Sequence, residues 1–234
     1  MRIFITGDTH AEIDFHKLNT KFFPEQKKLT KDDFVIIAGD FGFIWDGSNT
    51  DKYWLKWFEN KNYTTLFVDG NHENFNLINA YPVEIWNGGK IHRINNSVIH
   101  LMRGQVYELN NLKYFTFGGS KSSDIAFRKE NISWWKQELP SEEEYKEGIL
   151  NLNKNNWNVD FVITHTSSTK ILNVLEEKFK CDEEVTEIHH FLNNIENKCI
   201  FKHWYFGHFH KDDQLDEKHT VLYKKILEIN QKRD

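Results

Sequence analysis

Five short apolar runs in this 234-residue chain end in the same way. "RIFIT" (2–6) is followed by Gly7-Asp8-Thr9-His10, "DFVIIA" (33–38) by Gly39-Asp40, and "TTLFVD" (64–69) by Gly70-Asn71-His72-Glu73. "VDFVIT" (159–164) is followed by His165, and "HWYF" (203–206) by Gly207-His208-Phe209-His210. The early runs are continuous rather than alternating, which suits strands buried on both faces. Each run then delivers a metal-capable side chain just past its carboxyl end, where ligands bind in open α/β sheets. In four of the five a glycine precedes the polar residue, which permits a sharp turn and a close approach of backbone to an ion or phosphate. A lone Gly-Asp is usually a turn, and a lone His after a strand is usually a hydrogen-bonded structural residue. Chance would have to repeat the placement in every run.

Two more β-rich runs are "KYFTF" (113–117) and "TVLY" (220–223). Between the runs lie candidate helices. "AEIDFHKLNTKFF" (11–23) and "DKYWLKWFENK" (51–61) supply two, and "SEEEYKEGILNLNKNN" (141–156) opens on a Ser cap with Glu144 three residues later. "STKILNVLEEKF" (168–179) and "EEVTEIHHFLNNIEN" (183–197) carry apolar residues at helical spacing. "SVIHLMRGQVYELNNLKYFTFGG" (97–119) reads as three strands with an Asn-Asn turn, antiparallel β material. Strands alternating with helices, plus a meander, predict a mixed α/β fold with helices outside. With three prolines and no linker, the whole of 1–234 reads as one domain.

Composition narrows the function. At 39% hydrophobic and 15% aromatic the chain is too apolar to be disordered. A net charge of −5 gives no strong nucleic-acid-binding signature. Two cysteines, Cys181 and Cys199, make neither a disulfide framework nor a thiolate zinc site. The N-terminus runs straight into a strand without a signal-peptide apolar region, and no apolar run approaches the ~20 residues of a membrane span. A cytoplasmic protein is expected.

The donors Asp8, His10, Asp40, Asn71, His165, His208 and His210 form a set without Cys that suits Mn²⁺, Fe or Zn²⁺. They are too many for one ion and suit two sharing a bridging carboxylate, about 3.5–4 Å apart. Such a pair neutralises a phosphoryl group and lowers the pKa of a water, which is what hydrolysis of a phosphate ester needs.

These blocks, "GDTH", "GDFG", "GNHE", "THT" and "GHFH", stand in the order of the signature of the calcineurin-like metallophosphoesterases, and span residues 7 to 210. The chain resembles that superfamily, and "GDFGFIWDG", "LFVDGNHENF" and "WYFGHFHKD" resemble a bacterial and phage branch of it. The resemblance implies a four-layer αββα sandwich, two mixed sheets flanked by helices, with a dinuclear metal site at the strand ends. It implies that Asp8, His10 and His210 hold one divalent ion, that Asn71, His165 and His208 hold the other, and that Asp40 bridges them. Mn²⁺ is the expected metal, with Fe, Zn²⁺ and Ni²⁺ as alternatives. It further implies that His72 faces the scissile phosphate and protonates the leaving oxygen or stabilises the transition state.

The implied activity is metal-dependent hydrolysis of phosphoric esters by attack of a metal-bound hydroxide. A phosphodiesterase on nucleotides or small diesters leads, because the Arg that protein Ser/Thr phosphatases carry in the second block is missing. A phosphomonoesterase, including a protein phosphatase, is the alternative. A catalytically silent scaffold would be expected to lack several of these residues. Many relatives end the second block in Asp where this chain has Phe43. Residues 118–144 admit two readings: a substrate-facing loop in which Arg128 pairs with a phosphate oxygen, or a packing arm that buries Trp134 and Trp135. Arg103 likewise either contacts substrate or caps a strand. Phe41, Phe43, Trp45 and Asp46 read as core, with a pocket wall as the alternative. His189-His190 reads as a satisfied or solvated pair.

Overall fold

The apolar runs become the inner strands of two sheets. The computed structural model describes residues 1–230; the last four residues of the expected domain lie outside the described residues. The strands are β1 (Ile3–Thr6), β2 (Phe34–Ala38), β3 (Thr64–Val68), β4 (Val83–Trp86), β5 (Gly89–Asn95), β6 (Val98–Leu101) and β7 (Gln105–Leu109). They continue with β8 (Leu112–Phe117), β9 (Phe161–Thr164), β10 (His203–Phe206), β11 (Asp213–Gln214), β12 (His219–Val221) and β13 (Ile226–Glu228). The helices are α1 (Asn49–Glu59), α2 (Phe75–Ile78), α3 (Glu142–Lys154), α4 (Thr169–Phe179) and α5 (Glu187–Lys198). One sheet has the order β13-β1-β2-β3-β6-β5-β4 and the other β11-β12-β10-β9-β8-β7. β1, β2, β3 and β6 are parallel, as are β12, β10, β9 and β8, with antiparallel strands at the edges.

Every residue of β1, β2, β3 and β9 is buried, because each sheet is covered on both faces. Side-chain alternation divides them between two cores. Ile5, Ile36 and Leu66 meet Tyr114, Ile163 and Tyr205 between the sheets. Val35, Ile37 and Phe67 pack outward with Phe58 of α1, and Phe115, Val162 and Trp204 pack outward with Leu152, Leu175 and Leu192 of α3, α4 and α5. The result is the expected αββα layering. Ser141 caps α3 through the capping box with Glu144, and Ser48 and Ser168 cap α1 and α4. Among the described residues no helix is long and apolar enough to cross a membrane.

Two expectations fail locally. Residues 11–23 form no α-helix, only a 3₁₀ turn at Phe15–Leu18, followed by another at Pro24–Lys28. The side chains of that stretch are committed elsewhere. The buried Lys17 ammonium donates to Gly7 O (2.8 Å), Asp8 O (2.6 Å) and Tyr223 O, and Asp14 bonds His10 and Tyr223. The segment folds onto the strand ends instead of forming an amphipathic cylinder. The run 97–119 also divides: β6 joins the first sheet, and only β7 and β8 form a hairpin, through Asn110 and Asn111 at φ 53° and 59°. The β4–β5 hairpin carried no signal in the sequence reading, since β4 is a largely exposed edge strand.

Candidate metal centre

Parallel register brings the ends of β1, β2 and β3 side by side, and those of β9 and β10 beside them in the second sheet. Tight loops make this convergence possible. Gly39 stands at φ 95°, and a Cβ there would fall 1.9 Å from His165 Nδ1. A Cβ on Gly70 would fall 2.0 Å from Asp40 Oδ1. The glycines of these motifs therefore make room for donors from other strands.

Asp40 sits at the middle. Its Oδ2 is 3.1 Å from His10 Nε2, and its Oδ1 is 3.4 Å from His165 Nε2 and accepts the His72 backbone N–H at 2.8 Å. His165 Nε2 is 3.1 Å from Asn71 Oδ1. His210 Nε2 is 3.3 Å from Asp8 Oδ2, a fully buried oxygen that accepts no well-formed hydrogen bond. Donor atoms of Asp8, His10 and His210, and of His10, Asp40 and His72, lie within 4.8 Å of one another. Four of the seven expected ligands hold a positive φ: His10 (42°), Asp40 (49°), His208 (68°) and His210 (51°). That costs about 1–2 kcal/mol for each non-glycine residue, and such strain concentrates at functional sites.

The outer atoms are held as well. His10 Nδ1 meets Asp14 Oδ2 (2.9 Å), whose Oδ1 accepts the Tyr223 hydroxyl (2.8 Å). His165 Nδ1 donates to Ala38 O (2.9 Å), and Asn71 Nδ2 donates to Ser122 Oγ (3.0 Å), which turns Oδ1 inward. His208 Nε2 lies 3.0 Å from Glu183 and 3.2 Å from Ser120, leaving Nδ1 as its free donor. Glu73 accepts the N–H groups of Phe41 (2.7 Å) and Gly42 (3.2 Å), fixing the loop that carries Asp40. Of these supports, Asp14 could have been found from its i+4 spacing to His10. Glu183, in the irregular stretch before α5, had no signal.

His208 and His210 do face the site while Phe209 is buried, but strand alternation is not the cause. β10 ends at Phe206, and two left-handed residues turn the chain so that Phe209 packs at 5.9 Å on Phe206.

The electrostatics favour a cation. Burial works against every charge here, yet the imidazoles of His210, His165 and His10 hold the Asp8 carboxyl down, and those of His165 and His10 hold Asp40 down further. Against the same burial, Asp40 and Asp8 raise His10 to about 9 and His165 to about 10. Imidazoles held protonated by buried carboxylates mark a place where positive charge is wanted. Divalent ions meet that demand and release the protons. Together with the orphaned Asp8 oxygen and the outward nitrogens already bonded, the donor set fits metal ions.

Arg128 reaches this site: its Nη1 donates to His72 Nδ1 (3.1 Å) and to Ser133 O, and its Nε pairs with Asp124. Arg103 does not. It is 5% exposed and bound to Asp69, Gln137 O and Glu144. Trp135 is buried and Trp134 half-buried, so the packing reading of residues 118–144 holds for Trp135. Phe41 and Phe43 are buried core, and Phe43, Trp45 and Asp46 line a cavity beside His10 and His72. His189 is buried and bonded to Thr166 and Thr186, a satisfied residue.

No curated protein matches this chain in a sequence search. The sequence model of the family described as calcineurin-like phosphoesterase matches residues 1–212, in agreement with the order of the five blocks. Members of this family use two divalent ions, for which the donors gathered here provide candidate ligands. The chain therefore belongs to the calcineurin-like phosphoesterases and is a metal-dependent hydrolase of phosphoric esters.

Proposed function

We propose that the chain is a phosphodiesterase acting on nucleotides or small diesters, with Mn²⁺ as its working metal. Asp8, His10 and His210 would hold one ion, Asn71, His165 and His208 would hold the other, and Asp40 would serve both. Bound there, the ions supply Lewis-acid neutralisation of the phosphoryl group and activation of water. The observation that carries the reading is the convergence of Asp40 on donors from both groups, at 3.1 Å from His10 and 3.4 Å from His165.

The protein's own groups complete the chemistry. A guanidinium has no acceptor, so His72 Nδ1 must accept from Arg128 and its proton sits on Nε2. Burial and the Arg128 charge also push His72 down, toward the neutral ring, against the pull of Asp40. A neutral imidazole cannot readily give up its last proton. His72 therefore acts as a hydrogen-bond donor to the leaving oxygen rather than as a full proton donor. Arg128 Nη2, which has no partner among the described residues, contacts a non-bridging phosphoryl oxygen. One guanidinium suits the single charge of a diester. Two unpaired thiols, Cys181 and Cys199, agree with a reducing, cytoplasmic setting.

The test is hydrolysis of bis(p-nitrophenyl) phosphate against p-nitrophenyl phosphate by metal-stripped protein reconstituted with Mn²⁺, beside Asp40→Asn. Diester turnover that disappears in the variant is expected. Turnover of the monoester alone would make the protein a phosphatase.

A further inference from the structure

A cavity of about 620 Å³ opens beside the candidate metal centre, with His10, His72 and Arg128 at one end. Its size falls within the range of about 300–1,000 Å³ typical of small-molecule sites. We propose that it seats the organic group of the ester and selects a nucleoside: planar, rich in hydrogen-bond donors and without further negative charge. The proposal rests on the reading of the centre as a phosphoesterase site and names the substrate class it takes.

The walls are aromatic and already in place. The Trp54 ring packs on Phe15 (4.4 Å) and Phe43 (5.6 Å), and its indole N–H donates to Glu12. Trp45 is braced edge-on by the buried Trp135 at 5.3 Å, and its backbone N–H donates to Asp51. Indoles fixed in this way offer a stacking surface with little ordering left to do on binding. Ile13 at the rim is 75% exposed, an apolar side chain that a bound base would cover.

Charge decides what the occupant carries. Among the described lining residues Arg128 is the only Lys or Arg, and it stands at the end next to His72. Apart from His10 and His72 at that same end, the remaining ionisable groups are the acids Glu12, Asp46 and Asp51. Asp51 already accepts three backbone N–H groups, from Trp45, Asp46 and Gly47, whereas Asp46 is exposed and Glu12 Oε2 has no partner among the described residues. One phosphate therefore belongs at the Arg128 end, and a second would lie against carboxylates. The amino and ring N–H groups of a base suit those carboxylates as acceptors.

The test measures Mn²⁺-loaded protein binding three probes, by tryptophan fluorescence and by inhibition of bis(p-nitrophenyl) phosphate hydrolysis. The probes are adenosine 5′-monophosphate, ethyl phosphate and adenosine 5′-diphosphate. The monophosphate nucleotide should bind at least tenfold tighter than ethyl phosphate, and the diphosphate no tighter than the monophosphate. In Trp54→Ala the first ratio should fall toward one. In Glu12→Lys, a change at an exposed position, the diphosphate should become the tighter ligand. A ratio near one in the unaltered protein, or ratios that neither substitution moves, would overturn the proposal. Absence of diester hydrolysis with the binding ratios intact would instead overturn the reading of the reaction and leave the pocket standing.

Discussion

The strand-end loops and the segment 118–144 both reach the same centre, but they are held there by different forces. Each loop is the continuation of a buried parallel strand, so ladder register fixes its position, and glycines at Gly39 and Gly70 let neighbouring loops touch. The segment has almost no ladder. It consists of short 3₁₀ turns and one isolated bridge, Glu130 to Trp134, and depends on side-chain anchors. Those anchors are Trp135 on Trp45, Ser122 on Asn71 and Arg128 on His72. The contrast teaches that the loops carry the blocks shared by the family, one of metal-dependent ester hydrolases, while the segment braces the pocket wall and brings Arg128, the cation proposed above to meet the substrate, against His72.

The comparison can be broken at its strongest point first. His72→Ala, on a loop, should lower kcat for bis(p-nitrophenyl) phosphate about 10²–10⁴-fold, the usual worth of a group acting on the leaving oxygen. Metal content measured by elemental analysis should stay near two ions for each chain, as the family implies. Normal turnover would remove His72 from the chemistry. Arg128→Gln, on the segment, should cost about 10²-fold in kcat/KM, the scale of one lost donor to a developing charge. Wild-type kinetics in that variant would reduce the segment to a cover. The smallest effect concerns neither region. Tyr223 lies beyond the family match, yet its hydroxyl holds Asp14 against His10 and its ring stacks on His210 at 4.6 Å. Tyr223→Phe removes one hydrogen bond, worth about 1 kcal/mol, and should weaken one of two Mn²⁺ binding events about fivefold in a titration. Identical titrations would show that Asp14 needs no such support.

The chain sequence determined the inner strands and the candidate donors at their ends. A residue such as Ile36 is legible because a strand buried on both faces has no alternative to an apolar run, and Asp40 is legible because it follows that run directly. The five blocks could therefore be ordered without coordinates. What tertiary structure alone decided lies in contacts between residues far apart in the chain. Arg103 and Arg128 look equivalent as letters, yet Asp69 neutralises the first in a buried pair while the second donates its Nη1 to His72. Residues 11–23 have a helical composition, but Lys17 and Asp14 bond to strand ends and to Tyr223, and those long-range bonds outweigh local propensity. His208 and His210 converge through left-handed backbone that only the surrounding packing can enforce, since an isolated chain would relax it.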